Sequence, residues 1–466
     1  MTQPPRPLPD HAEALAVALG LLSPAPCGSE PEGAGEGSKV SIPSRQALGR
    51  TLRSPIVADR DQPPFDRATM DGYALRHVDL ASGRALPVIG AIAAGDRFER
   101  QVPPGTCVAI ATGAAVPEEL DTVIQHELLE NRALRRGAAA EVSFADAVPR
   151  GHAIHPRGAD ARSGAVLVAA GTRLRPFHLG LAAAVGATRL STARPPRVAV
   201  ITSGDEIVAP ETPAAQLAPV SVRNSNAPML ESLIGSFGGE VVECRHVADD
   251  LEATQRALRH AAATAEVLVT VGGVSAGAKD FFPEALASLG VRFAVRGARL
   301  QPGGPIAIGS FGEPPSSAPR DGRTDRSAPP PRPMPVAAPE GPSPGARVRG
   351  GPIVLCLPGN PVSAHVCACL FLWPLLRRLL GGDPTLPWRP AQLLERVRPN
   401  PARQAFRAAR CAPTSDPGGV RVLGWQGSGD LAHLAASDGL VALPIQPEPV
   451  EPGTTVRFLA WSELGA

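Results

Sequence analysis

The sequence contains little lysine and little tyrosine, and neither sign of charge is in large excess. Only Lys39 and Lys279 are lysines among the 46 basic residues, and Tyr73 is the one tyrosine. The 44 acidic residues leave a formal net charge of +2 over 466 residues, which is too small an excess for a dedicated nucleic-acid binder. Chemistry that needs a compact ammonium group therefore has two candidate side chains.

Cysteine pairs and long apolar runs are also lacking. The seven cysteines are odd in number and scattered, without the paired CxxC spacing of a zinc site, which predicts a reduced, cytoplasmic protein. The apolar stretch 12–22 contains Glu13 and has no basic segment before it, unlike a signal peptide. The most apolar run, 362–376, is interrupted by His365 and Pro374 and is shorter than the ~20 residues that a bilayer requires. We expect a buried helix there and no membrane contact.

Length and proline content predict several domains with many turns. A chain of 466 residues exceeds the usual ~100–200 residues of one domain. Its 53 prolines are about twice the usual share. Residues 27–39 are rich in Gly, Glu and Ser and predict a flexible insertion. Residues 311–352 predict a disordered, Pro-rich insertion, which is either a linker or a docking arm for a partner.

The hydrophobic patterning changes along the chain. A short helix is expected over 44–52, and short apolar runs between turns predict mostly β structure from 72 to 149. From residue 195, strands alternate with helices, which is typical of a parallel-rich α/β sheet. The fold class is thus multidomain α/β plus β. The predicted parts are an N-terminal helical/β segment (1–62 and 150–194), an inserted small β domain (63–149), an α/β domain (195–383) and a C-terminal β domain (384–466).

Three loops follow predicted parallel strands at the edge where open α/β sheets bind ligands. The loop 202–206 carries two adjacent carboxylates, which either cap a helix or take part in chemistry. The loops 272–277 and 357–363 offer backbone N–H groups to a phosphate, although glycine also simply makes turns. Together the three loops predict a site for a phosphorylated small molecule.

Longer strings of residues carry a family resemblance. They are PPFDRATMDGYA (63–74), GAIAAGD (90–96), IATGAAVP (110–117), PRGADARSG (156–164), TSGDE (202–206), NSN (224–226), GGVSAG (272–277), PGGP (302–305) and LPGNPVS (357–363). In these strings and their order, the chain resembles the molybdopterin molybdenumtransferases, a family that includes the E domain of gephyrin.

The resemblance implies a fold and an activity. The α/β domain would be a MogA/MoaB-like molybdopterin-binding domain, and two subunits would form a homodimer. The cleft would lie between the α/β domain of one subunit and the β domain of the other. The activity implied is insertion of molybdenum from molybdate into adenylylated molybdopterin, with release of AMP and with Mg²⁺ present. Molybdopterin adenylyltransferase and apo-molybdoenzymes are implied partners.

The matching motifs also assign site residues. The catalytic positions are Asp71, Asp205, Glu206, Asp280 and Thr112. Of these, Asp205, Glu206 and Asp280 are the implied metal ligands, and their hard oxygen atoms suit Mg²⁺. The substrate-binding positions are Gly272, Gly273, Ser275, Gly277, Pro302, Gly303, Pro358, Gly359, Asn360, Ser363, Arg157, Asp160, Asn226 and Lys279.

Departures from the family pattern remove charge from the implied cleft. The usual Lys-Pro-Gly-Lys-Pro string is 301–305 here, QPGGP, so both cationic positions are empty. Asn224 replaces the usual Asp before Ser-Asn, and Ala159 replaces a frequent Glu. Molybdate is a dianion, so we expect weakened anion binding. We expect Lys279 and Arg157 to compensate, and Arg299 lies just before the altered string.

Two other functions stay open at this point. A non-catalytic molybdopterin-binding or scaffold protein is favoured by the missing lysines, whereas the retained carboxylates favour the enzyme. Adenylylation of molybdopterin is the other alternative, but the MDGYA string and the flanking β domains favour the transferase.

Overall fold

The structure, a computed structural model, describes residues 8–23, 39–129, 140–144, 148–273, 281–312, 347–348, 351–412 and 418–465. The helices of these residues are α1 (His11–Gly20), α2 (Pro176–Ala184), α3 (Asn226–Ser236), α4 (Leu251–Thr264), α5 (Phe282–Ser288), α6 (Pro361–Cys367), α7 (Trp373–Leu379), α8 (Leu431–Ala435) and α9 (Trp461–Leu464).

The strands of the described residues form two six-stranded sheets, a five-stranded sheet and short two-stranded pairs. They are β1 (Leu22–Ser23), β2 (Lys39–Pro43), β3 (Ile56–Val57), β4 (Arg67–Ala68), β5 (Gly72–Leu75), β6 (Leu86–Ile92), β7 (Cys107–Ile110), β8 (Thr122–Gln125), β9 (Glu141–Val142), β10 (Ile154–His155), β11 (Val166–Val168), β12 (Arg189–Ala193), β13 (Arg197–Ser203), β14 (Ile207–Val208), β15 (Val222–Arg223), β16 (Glu240–Val247), β17 (Val267–Val271), β18 (Val291–Arg296), β19 (Leu300–Gln301), β20 (Ala307–Phe311), β21 (Arg347–Val348), β22 (Ile353–Leu357), β23 (Arg389–Leu393), β24 (Gln404–Cys411), β25 (Gly419–Val422), β26 (Gly439–Ala442) and β27 (Thr455–Ala460).

The α/β domain is built on a sheet with the strand order β16-β13-β17-β22-β20-β18. The first four strands are parallel, and β20 runs antiparallel to both of its neighbours. Every residue of β17 and β22 is buried, as expected for central strands covered on both faces. The predicted parallel-rich sheet is confirmed. The sequence reasoning missed β20, whose last residue falls in the segment interpreted as a Pro-rich insertion.

Helices cover both faces of this sheet because alternate residues of β13 point to opposite sides. Val198 and Val200 belong to the core that includes α3, α6 and α7. Ala199 and Ile201 belong to the core that includes α4 and α5. The helix from Pro361 to Leu379 is long and apolar enough to cross a membrane, but 83% of its most apolar window is buried inside the protein. The predicted buried helix is thereby confirmed.

The segment before residue 62 pairs with the segment after residue 164, as the sequence predicts. Strand β2 is antiparallel to β12, and β3 is antiparallel to β11. The predicted helix over 44–52 is wrong. Only Ser44–Gln46 form a 3-10 turn, after which Thr51 and Leu52 bridge to Arg173 and Thr192. Backbone pairing with these distant residues replaces the local helical hydrogen bonds.

Helix α1 does not pack where the sequence reasoning grouped it. Its start is fixed by a capping box in which the Glu13 N–H donates to Asp10 Oδ1 over 3.0 Å and the Asp10 N–H donates to Glu13 Oε2 over 2.9 Å. Its buried face, with Ala14 and Ala18, joins the core of the α/β domain, not the segment 39–62. The helix contacts β18 and α7.

The inserted β domain and the C-terminal domain complete the fold. The inserted sheet has the order β8-β5-β7-β6-β9. The C-terminal sheet has the order β19-β24-β25-β23-β27-β26, and an additional β24–β26 pairing closes it into a barrel-like form. Most of the two predicted insertions lies outside the described residues. The parts concerned are 27–38 of the first insertion and 313–346 and 349–350 of the second. Their edges are more regular than expected, since Lys39 begins β2 and Arg347–Val348 pair with β1.

Candidate active site

The three ligand loops predicted from the sequence lie side by side. Their strands β13, β17 and β22 are neighbours in the parallel part of the sheet, so the carboxyl ends meet at one edge. The Gly272 N–H donates to Leu357 O over 3.2 Å. A Cβ atom on Gly272 would lie 3.3 Å from Ser203 O, and one on Gly359 would lie 3.5 Å from the Gly272 Cα. Gly272 and Gly273 both have positive φ angles, of 94° and 60°. The loops therefore approach one another backbone to backbone.

Asn226, at the start of α3, ties the third loop to this group. Its Nδ2–H donates to Gly359 O over 2.7 Å. Its Oδ1 is buried and has no hydrogen-bond partner among the described residues. Because a buried amide oxygen without a donor is unfavourable, a hydrogen-bond donor on a ligand would stabilise this side chain.

The start of α6 is less open to an anion than the sequence predicts. Pro361 has no N–H, and the Val362 N–H donates to Ser428 O over 3.0 Å. Pro358 and Ser363 are buried, whereas Asn360 is exposed. The expectation of free N–H groups beyond Pro361 is therefore wrong at Val362, because the C-terminal domain supplies an acceptor.

The carboxylates of the first loop do not cap a helix, since β14 follows them. Asp205 and Glu206 are exposed. The Asp249 N–H donates to Asp205 Oδ1 over 3.1 Å, and the Asp205 N–H donates to Asp249 Oδ2 over 3.4 Å. A Cβ atom on Gly204 would lie 3.0 Å from Glu206 Oε2, so glycine leaves room for this carboxylate. Sequence reasoning missed Asp249, although it follows β16, the strand beside β13.

The structure describes only the first two residues of the second loop, Gly272 and Gly273. Ser275, Gly277, Lys279 and Asp280 lie outside the described residues. Within the described ranges, which leave out Asp280, no three Asp, Glu, His or Cys side chains form a group that could hold a metal ion. The metal ligands Asp205, Glu206 and Asp280 therefore stay a prediction.

A second group of predicted residues lies in the inserted β domain. The Thr112 N–H and Oγ1–H donate to Asp71 Oδ1 over 2.7 and 2.8 Å. These two hydrogen bonds hold the pKa of the exposed Asp71 carboxyl below its usual value. Gly72 places its Cα so close to Ile124 O in the neighbouring strand that a Cβ atom would clash. Asp71 is thus an ionised carboxylate directly before β5, a strand paired on both sides.

Arg157 and Asp160 are each bound to a neighbouring side chain. Arg157 Nε–H donates to Asp61 Oδ2 over 2.9 Å, and His155 Nε2–H donates to Asp160 Oδ1 over 2.8 Å. The Ser163 N–H and the Arg157 guanidinium hold the pKa of Asp61 below its usual value. Much of the charge of Arg157 is therefore neutralised by Asp61, which weakens its predicted role as an anion ligand.

Two arginines are close to the altered string at 301–305, Arg403 in space and Arg299 in the sequence. Gly303 has φ +99°, and a Cβ atom there would clash with Cys367 Sγ. A Cβ atom on Gly304 would lie 3.9 Å from a terminal nitrogen of Arg403. The Arg299 Nε–H is buried and has no hydrogen-bond partner among the described residues. Arg403 thus has a guanidinium nitrogen close to Gly304, one of the two positions where the family pattern has lysine, and Arg299 lies just before the string in the sequence. Sequence reasoning noted Arg299 but missed Arg403, because the pairing of β19 with β24 is not readable from a motif.

The two groups of predicted residues are not hydrogen-bonded to each other within the described part of the chain. Each is linked internally by the hydrogen bonds described above. No hydrogen bond between described residues joins Asp71 or Thr112 to the loops of the α/β domain.

Family models match most of the chain. The MoeA N-terminal region (domain I and II) matches residues 10–186, a probable molybdopterin binding domain matches 199–378, and the MoeA C-terminal region (domain IV) matches 390–461. Solved structures agree. A structure of the molybdopterin biosynthesis MoeA protein from Pyrococcus horikoshii is 27% identical in sequence and superposes with a TM-score of 0.70. The match covers 97% of this chain and 99% of the Pyrococcus chain.

Curated relatives match this chain over nearly their whole length. Molybdopterin molybdenumtransferase 2 of Mycobacterium tuberculosis is 30% identical over 429 residues, which are 90% of this chain and 94% of the relative. Molybdopterin molybdenumtransferase of Synechococcus elongatus is 31% identical over 423 residues, which are 89% of this chain and 93% of the relative. The chain belongs to the molybdopterin molybdenumtransferase family.

Proposed function

We propose that this protein inserts molybdenum from molybdate into adenylylated molybdopterin and releases AMP. One observation carries the proposal: glycine loops and carboxylates lie at one edge of a parallel sheet, in a chain related throughout its length to molybdopterin molybdenumtransferases. The second and third loops bind the phosphate-bearing substrate through the backbone N–H groups of Gly273, Gly359 and Asn360, since the Gly272 N–H is bound to Leu357 O and Pro358 has none. Asn226 orients the third loop and accepts a hydrogen bond from the substrate through its buried Oδ1.

Arginines supply the positive charge that molybdate requires. Arg299 and Arg403 flank the string that lacks the usual lysines, and the Arg299 Nε–H has no described partner. A guanidinium presents several donors in a fixed plane and stays charged, so it replaces an ammonium as a ligand of an oxyanion. Lys279 remains a proposed ligand from the second loop. Arg157 has a smaller role, because it is bound to Asp61.

Magnesium fits the donor chemistry at the first loop. Asp205 and Glu206 offer carboxylate oxygens, the ligands that Mg²⁺ prefers, and Asp280 is proposed to complete the set. When bound, the ion would polarise the phosphoanhydride that links AMP to molybdopterin. Asp71, held ionised by Thr112, accepts a hydrogen bond from the water or substrate group that reacts.

A homodimer is proposed to unite the two groups of site residues. In the described residues of one chain, Asp71 and Thr112 are not bonded to the α/β loops. Exposed apolar side chains on the N-terminal segment give a second subunit a surface to cover; they are Leu48, Val57, Val166 and Phe177. We further propose a cytoplasmic location, and transient contacts with a molybdopterin adenylyltransferase and with apo-molybdoenzymes.

Turnover in vitro tests this function. Purified full-length protein is mixed with adenylylated molybdopterin, molybdate and Mg²⁺, and AMP release and cofactor formation are followed together. We expect both products to form in equal amounts. If neither product forms over a wide range of molybdate concentrations while the pterin still binds, the protein is a non-catalytic molybdopterin-binding member of the family.

A further inference from the structure

A hydrogen-bond chain crosses the carboxyl ends of β13 and β16, beside the first loop. Asn224 Oδ1 accepts a hydrogen bond from the Ala227 N–H over 3.1 Å, and Asn224 Nδ2–H donates to Thr202 Oγ1 over 2.9 Å. Thr202 Oγ1 lies 3.0 Å from His246 Nδ1. Thr202 and His246 are register partners in the two parallel strands. None of the roles given above uses His246.

The backbone fixes the direction of this chain. The Ala227 N–H can only donate, so Asn224 Oδ1 is its acceptor and the Asn224 amide nitrogen faces Thr202. Thr202 is buried, and His246 Nδ1 is the acceptor that lies within hydrogen-bond distance of its hydroxyl among the described residues. An unpaired buried hydroxyl hydrogen is unfavourable, so Thr202 donates to Nδ1. A neutral imidazole that accepts at Nδ1 carries its proton on Nε2.

We propose that Asn224 and Thr202 fix His246 as an Nε2–H donor for an anionic oxygen of the ligand. His246 is exposed, and its strand ends at the edge that carries Asp205 and Asp249. The identity of the ligand, a phosphate or other oxyanion, rests on the proposed function. The position of the proton on His246 does not.

Asn224 determines both the direction of the hydrogen-bond chain and the charge beside His246. The family pattern has Asp there, and a carboxylate could only accept a hydrogen bond from Thr202. Thr202 would then accept from His246 Nδ1–H, and the direction of the whole chain would reverse. With Asn224, the site has one negative charge fewer and one outward donor more, which favours an anionic ligand. His246 is the binding residue, while Asn224 and Thr202 are positioning residues.

Nuclear magnetic resonance of the histidine ring nitrogens tests the proton position. The full-length protein is labelled with ¹⁵N-histidine and measured near neutral pH, and His246→Gln identifies the signals of His246 among the ten histidines. We expect the Nε2–H tautomer in the natural sequence and a proton on Nδ1 in Asn224→Asp. A proton on Nδ1 in the natural sequence would overturn the proposal.

Binding of inorganic pyrophosphate tests the ligand. Titration calorimetry should give about tenfold weaker binding for His246→Ala, and a smaller loss for His246→Gln, which keeps a donor. His260→Gln, an exposed histidine on α4, is the matched control and should bind as the unchanged protein does. Equal binding by His246→Ala would exclude the anion-binding role. Pyrophosphate binding that depends on His246 in a protein without turnover would contradict the proposed function alone.

Discussion

A guanidinium nitrogen of Arg403 lies close to Gly304, a position where the family pattern has lysine. Arg403 reaches this point because β24 pairs with β19, and Arg299 directly precedes β19. The partner of each arginine decides what it can bind. Arg157 is bound to Asp61, whereas the Arg299 Nε–H has no partner among the described residues. The scarcity of lysine in the sequence therefore does not imply a scarcity of positive charge at this site.

Replacing Arg403 should change the response to molybdate and little else. We expect Arg403→Gln to raise the molybdate concentration for half-maximal cofactor formation roughly tenfold, because a charge-assisted hydrogen bond is lost. The half-saturating concentration of adenylylated molybdopterin should stay nearly constant. The measurement is cofactor formation against molybdate concentration at saturating pterin.

Two further variants control this prediction. Arg421→Gln removes an exposed arginine from β25 and should leave the molybdate dependence unchanged. Gly304→Lys, added to Arg403→Gln, returns a cation to the string and should restore much of the response. An unaltered molybdate dependence in Arg403→Gln would show that this arginine is not an anion ligand.

At the scale of elements, the central strands of the α/β sheet were predictable and long-range pairing was not. The strands β13, β17 and β22 are readable because buried parallel strands are continuous apolar runs. The helix expected over 44–52 fails because Thr51 and Leu52 pair with residues more than a hundred positions away. A single sequence contains the local preferences of a segment but not the partner that overrides them.

The same limit applies to the candidate site. The three loops and the carboxylates of the first loop carry local motifs. Because the loops follow parallel strands, their position at one edge of the sheet could be predicted. Asp249, Ser428 and Arg403 carry no such motif. Asp249 reaches the site because its strand β16 pairs with β13, and Ser428 because it contacts the start of α6. Arg403 reaches it because β24 pairs with β19.

Helix α6 holds a histidine that makes stability depend on pH. His365 Nδ1 lies 3.8 Å from Cys369 Sγ, and the imidazole ring packs edge-on against Trp461. Burial lowers the pKa of His365 to about 4. An unfolded histidine has a pKa near ~6.5. Between these values the unfolded chain binds a proton that the folded chain does not, so stability falls as the pH falls from about 6.5 to about 4.

Denaturation in urea across this pH range measures the effect. We expect this histidine to cost roughly 3 kcal/mol of unfolding free energy over the whole window. The variant His365→Phe keeps an apolar ring in the helix and should have a shallower pH dependence. In the control, His260→Phe, the dependence should match that of the unchanged protein. A slope that is the same in His365→Phe would mean that other groups cause the acid sensitivity.

At the scale of the whole molecule, the proposed homodimer would join two groups of residues that one chain keeps apart in its hydrogen bonding. The inserted β domain presents Asp71 and Thr112, and the α/β domain presents the three loops with Asp205, Glu206 and Asp249. The N-terminal segment between them exposes the apolar side chains proposed above as a subunit contact. A symmetric dimer repeats any contact, so one pairing of the two groups would produce two complete sites.

Complementation between two inactive variants tests this arrangement most directly. Asp71→Ala and Glu206→Ala are purified separately, unfolded and refolded together, and assayed for AMP release. A mixed dimer has one site without either substitution, and half of the dimers are mixed, so activity should return to about a quarter of that of the unchanged protein. Refolding each variant alone should restore none. Mixed dimers that form, fold and stay inactive would contradict a site shared between subunits.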